Sequence, residues 1–80
     1  MTVISPYAVS LRDVQDARER IAPYAHITPV VRCQTLDDLS GKQLFFKCEH
    51  LQKVGAFKFR GATNAVLQLS EEDARYGVVT

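Results

Sequence analysis

Eighty residues, 46% hydrophobic and 24% charged with three prolines and four glycines, suit one small domain and exclude a disordered, collagen-like or low-complexity chain. Ten Lys and Arg against nine Asp and Glu leave a net charge of +1, so charge gives no argument for nucleic acid or an anionic membrane as partner. The longest apolar runs are far shorter than the roughly 20 residues that cross a bilayer, and a domain this short buries only about 60–65% of its unfolded surface.

Met1 to Pro6 has no basic stretch followed by an apolar run, so no secretion signal is expected. Ser10-Leu11-Arg12-Asp13 reads as a capping box, with Asp where Glu or Gln is usual. Leu11, Val14, Ala17, Ile21 and Ala22 then keep helical spacing as far as Pro23, and Asp13, Asp16, Arg18, Glu19 and Arg20 form the outer face. His26 to Val31 reads as extended, because Pro29 steers Thr28 away from helical angles. Thr35 is positioned to cap a short helix, Leu36 to Ser40, that Gly41 closes.

Leu44 to Glu49 reads as a strand with Leu44, Phe46 and Cys48 on one face and Phe45, Lys47 and Glu49 on the other. His50 to Gly55 is a loop, and Ala56 to Leu69 a helix. Ser70 caps a further helix, Glu71 to Tyr76, stopped by Gly77; its acidic first turn suits the helix dipole. Val78-Val79-Thr80 opens another strand. Strands alternating with helices predict an α/β chain with a parallel sheet. Such a sheet needs several strands and two covered faces. Residues 1–80 therefore read as one unit, an incomplete parallel sheet with helices, at the front of a larger α/β domain.

Cys33 and Cys48 lack a Cys-x-x-Cys or Cys/His context and read as free thiols in a reducing cytoplasm. His26 and His50 are a weak metal pair, better read as solvated or hydrogen-bonded; no metal is expected. Lys47 and Glu49 share a strand face and read as a structural pair. Asn64 and Arg60 read as solvent-facing, and Gly61 as permitting close helix packing.

The chemistry-bearing feature is Lys58. At about 100° per residue it falls in the middle of a small, apolar helix face with Gly61, Ala62, Ala65 and Leu69, while Arg60, Thr63, Asn64 and Gln68 lie opposite. An ammonium buried there is costly unless paired or neutralised. The first turn of a helix also disfavours a cation. Both effects favour the neutral, nucleophilic amine, suited to an imine with an aldehyde, and Phe57 and Phe59 offer aromatic surface for a flat ring. The bland alternative is a lysine whose charge reaches out to water.

The stretch Leu44 to Ala62, with Val54-Gly55-Ala56-Phe57-Lys58-Phe59-Arg60-Gly61-Ala62 at its centre, resembles the cofactor-lysine signature of the serine/threonine dehydratases, a family that includes serine racemases. Ile21-Ala22-Pro23, His26 to Val30 and Leu36 to Gly41 share the likeness, which covers roughly residues 10–80. The resemblance implies a fold of the tryptophan-synthase-β type (fold type II) and pyridoxal 5'-phosphate as cofactor. It implies that Lys58 joins that cofactor and that Phe57 lies beside it. Ala56 stands where the family often has Ser. Lys53 matches a nucleotide-effector position of the racemases, but Cys33, Gln34 and Val54 depart from its pattern, so no nucleotide is expected.

The implied reaction is β-elimination of L-serine or L-threonine to a 2-oxo acid and ammonia, or racemisation. The implied longer protein is a homo-oligomer. The family's glycine-rich Ser-x-Gly-Asn loop follows a Val-Val-Thr strand, so the 80 residues alone are expected to be inactive or nearly so. Three alternatives stay open: a β-replacing relative such as a cysteine synthase, a non-catalytic truncated product that interacts with a full-length partner, and RNA binding through Lys53 to Phe59. Near-zero net charge and helical spacing argue against the last.

Overall fold

The computed structural model describes residues 6–79. The reading of Met1 to Ile4 and Ser5, and of Thr80, lies outside the described residues. Four helices and one two-stranded ladder follow in the order α1 (Leu11–Ile21), β1 (Val30–Val31), α2 (Gln34–Ser40), β2 (Phe46–Lys47), α3 (Lys58–Leu67) and α4 (Glu71–Ala74). Two single 3-10 turns, Glu49–Leu51 and Lys53–Gly55, connect β2 to α3.

Helix α1 starts as the sequence predicts. Ser10 Oγ accepts from the Asp13 N–H at 3.2 Å, and Asp13 Oδ2 accepts from the Ser10 N–H at 2.8 Å, which completes the capping box. The helix stops just ahead of Pro23, and Ile21 is the buried apolar side chain at its end. Ser10→Ala is expected to cost about 1 kcal/mol of helix stability, measurable as a lower midpoint of chemical unfolding followed by circular dichroism.

Helix α2 departs from expectation at its start. It begins earlier, with Cys33 as the cap residue and no side-chain capping bond, so Thr35 lies inside it. Asp37 supplies the organisation instead: its buried carboxylate accepts from the Leu44 N–H at 2.9 Å and from Arg32 at 2.6 Å. The Leu44 amide, more than the Arg32 guanidinium, holds that carboxyl below the usual range. Gly41 closes α2 in the left-handed region, φ 68°, as expected.

The sheet is the main correction. β1 and β2 pair antiparallel, with Val30 opposite Lys47 and Val31 opposite Phe46, so the expected parallel ladder is not formed among the described residues. The strand expected over 44–49 shrinks to Phe46–Lys47, extended by one bond from the Cys48 N–H to the Pro29 carbonyl. The reason is the lack of a covering layer: Phe45 and Phe46 are both exposed, so no buried face enforces a longer strand. Val78 and Val79 are likewise in no strand, since no neighbour pairs with them among the described residues.

The radius of gyration is 17.2 Å, against roughly 12 Å for a closed domain of this length. The accessible surface is 7170 Å², against roughly 4,900 Å² for such a domain. What holds the elements is therefore mostly polar: α1 packs on α3, and a set of side-chain bonds ties the segments around residues 26–28, 49–52 and 60 together.

Candidate functional site

Two successive residues in the left-handed region, Val54 (φ 59°) and Gly55 (φ 66°), turn the chain sharply ahead of α3. Glycine adopts that angle freely; a β-branched valine does so only under strain. Ala56 is then extended, Phe57 enters the helical region, and Lys58 is the first residue of α3. Its side chain opens onto a shallow concavity of about 390 Å³ lined by Phe57, Lys58, Gly61 and Ala62.

The helical wheel grouped these residues correctly and assigned the face the wrong way round. Lys58, Gly61, Ala62 and Ala65 are all exposed, whereas Phe59, Arg60, Thr63 and Asn64 are half-buried on the side that meets α1. Polar bonds decide the orientation. Arg20 Nη1 donates to Asn64 Oδ1 at 2.6 Å, and Arg60 is held from the loop side by Glu49. Gly61 therefore does not serve close helix packing here: a Cβ built on it would meet nothing within 4 Å.

Arg60 and Glu49 form the centre of a clamp. Arg60 Nε donates to Glu49 Oε1 at 2.5 Å and its Nη2 to Oε2 at 3.1 Å, a two-pronged pair. Thr28 Oγ1 donates to the same Glu49 Oε2 at 2.5 Å. Arg60 Nη2 also reaches the His26 carbonyl at 3.3 Å, and Lys47 Nζ donates to the Thr28 carbonyl at 3.1 Å. The expected Lys47–Glu49 pair is thus replaced by Arg60–Glu49, with Lys47 adding only its charge nearby.

Arg60, chiefly through its hydrogen bonds, and then Thr28 pull the Glu49 carboxyl from the usual 4.5 down to about 2. A carboxyl depressed in this way stabilises the fold fully above its unfolded value and loses that contribution as pH falls towards the folded one. Stability is therefore expected to drop between about pH 4.5 and pH 2, and Glu49→Gln to flatten that part of the profile, read by thermal unfolding across pH.

Gln52, only 3% exposed, pins the same region. Its Oε1 accepts from the His26 N–H at 2.8 Å and its Nε2 donates to the His26 carbonyl at 2.9 Å. Lys53 Nζ sits 5.6 Å from the centre of the Phe59 ring. Cys33 and Cys48 are both free thiols. Among the described residues no group of three or more His, Cys, Asp or Glu could hold a metal ion, and no helix is long and apolar enough to cross a membrane.

Against known proteins, the sequence profile of the family described as pyridoxal-phosphate dependent enzyme matches residues 21–80. The chain belongs to that family. It is 57% identical over 74 residues to a serine racemase of Arabidopsis thaliana, covering 92% of this chain and 22% of that protein. It is 49% identical over 74 residues to a beta-hydroxyaspartate dehydratase of Paracoccus denitrificans, covering 92% of this chain and 24% of that protein. Among solved structures it superposes on maize serine racemase with a TM-score of 0.79 at 48% identity, covering 89% of this chain and 22% of that one. A threonine deaminase from T.th. matches at 51% identity with a TM-score of 0.69, covering 79% of this chain and 23% of that one. The matched residues thus share the type II fold expected from the sequence. The chain spans under a quarter of the length of these pyridoxal-phosphate-dependent relatives.

The residues present suit the family's cofactor. A primary amine at the head of a helix, an aromatic ring beside it and two residues with at most a methyl side chain leave room for a flat aldehyde-bearing ring. Of the residues the sequence singled out, Lys58 and Phe57 come together here, while His26 and His50 do not join the concavity. The clamp of Thr28, Glu49 and Arg60 was missed. Its signal was present in part: an arginine two residues after the lysine and a glutamate closing the preceding strand.

Proposed function

We propose that this chain carries the cofactor-lysine segment of a pyridoxal-phosphate-dependent dehydratase or racemase acting on a hydroxy amino acid such as L-serine or L-threonine. The observation that carries the reading is Lys58, the first residue of α3, opening onto a concavity walled by Phe57, Gly61 and Ala62 inside the region that matches the family. When bound, pyridoxal phosphate supplies an electron-withdrawing ring that weakens the bond to the substrate's α-hydrogen.

The chain's own residues do the rest of what is visible. Lys58, at the head of α3, would hold the cofactor through its aldehyde, and its amine is the group in this chain that would serve as base for the substrate's α-proton. Phe57 walls one side of the concavity. The free thiols of Cys33 and Cys48 support a reducing, cytoplasmic setting.

The test is spectral. Pyridoxal phosphate added to the intact protein is expected to give imine absorbance that borohydride abolishes, with the reduced adduct mapped by mass spectrometry to Lys58. Equal labelling of Lys58→Ala and the parent protein would overturn the assignment.

A further inference from the structure

We propose that Arg60, Glu49 and Thr28 are positioning residues for Lys58: their clamp fixes the head of α3 so that the Lys58 amine meets the concavity. The inference rests on the reading of Lys58 given above and deepens it.

Geometry carries the argument. Lys58 itself has no side-chain hydrogen bond or ion pair among the described residues, and its side chain is exposed. Nothing on its own face of α3 orients it. The helix start that bears it is uncapped, because Phe57 offers no capping side chain. The turn before it contains a strained Val54, which alone would not hold one orientation. Arg60 lies two residues further on, about 200° round the helix from Lys58, so a bond that fixes Arg60 fixes the opposite face and hence the direction in which Lys58 points.

Arg60 meets Glu49 through two donors, and Glu49 in turn accepts from Thr28, whose side chain is 4% exposed. A two-pronged guanidinium–carboxylate contact constrains rotation as well as distance, which a single lysine contact would not. The clamp thereby locks three pieces of chain that the sequence keeps far apart: residues 26–28, the turn at 49–52 and α3. A shift of about 1 Å at a reacting group costs on the order of a hundredfold in rate, so a loosened clamp need not unfold the protein to be felt at Lys58.

The test measures the rate at which Lys58 of the intact protein condenses with added pyridoxal phosphate, by imine absorbance and by mass of the borohydride-reduced peptide. Arg60→Lys keeps the charge and loses the fork; Thr28→Val keeps the shape and loses the donor; Thr28→Ser restores it. Ser10→Ala, which weakens α1 at a distance, controls for general loss of stability. The expected result is a roughly tenfold slower condensation in Arg60→Lys and Thr28→Val, with near-parental rates in Thr28→Ser and Ser10→Ala. Parental rates in both clamp variants would overturn the inference and leave the role of Lys58 standing. Equal slowing by Ser10→Ala would overturn it too, by showing a purely structural effect. Absence of a Lys58 adduct in the parent protein is a separate outcome, and removes the reading of Lys58 together with the clamp's purpose.

Discussion

In a full-length enzyme carrying this segment, as proposed above, Lys58→Ala is expected to lower turnover of L-serine or L-threonine about a thousandfold or more, because it removes both the attachment point and the base. Lys58→Arg sharpens the expectation. The guanidinium keeps the length and charge of the side chain but stays protonated, so it neither attacks an aldehyde nor accepts a proton. Both variants should lose activity alike. A small primary amine added to the solution should restore part of the Lys58→Ala rate and none of the Lys58→Arg rate, since only the first leaves space at the concavity. Retention of activity by Lys58→Arg, followed by a coupled assay for 2-oxo acid, would mean that a different group does the chemistry.

The second large effect falls on Gln52. Its amide bonds to both the N–H and the carbonyl of His26, 26 residues away in sequence, from a position that is 3% exposed. Gln52→Ala removes the side-chain partner of the His26 N–H and leaves the His26 carbonyl with only the longer contact from Arg60 at 3.3 Å. The expected loss is about 1–2 kcal/mol, seen as a lower urea midpoint with little change in slope. Gln52→Glu separates the two bonds: its carboxylate still accepts from the His26 N–H but offers nothing to the carbonyl, so it should fall between Ala and the parent. An unchanged midpoint in Gln52→Ala would show that the extended segment at His26 is held by other means.

Local rules were legible in the sequence; directions in space were not. The capping box at Ser10 and Asp13, the stop before Pro23, the left-handed Gly41 and the Ser70 cap of α4 all depend on neighbours within four residues, and all are present. The lysine motif was legible by resemblance, and the wheel around it grouped the correct residues. Which face of α3 turns inward was not legible, because that depends on Asn64 meeting Arg20 and on Arg60 meeting Glu49, contacts across 44 and 11 residues. Periodicity favours the apolar face as the packed one; here the polar face has partners and the apolar face has none among the described residues. The antiparallel ladder was missed for a similar reason. Pairing direction is a property of two strands, and β1 and β2 each contribute only two residues to it.

The wide uncovered surface has a consequence for what this segment attracts. Phe57, Val66, Leu69 and Val78 all lie open to water, and such side chains are what holdases and proteases bind first.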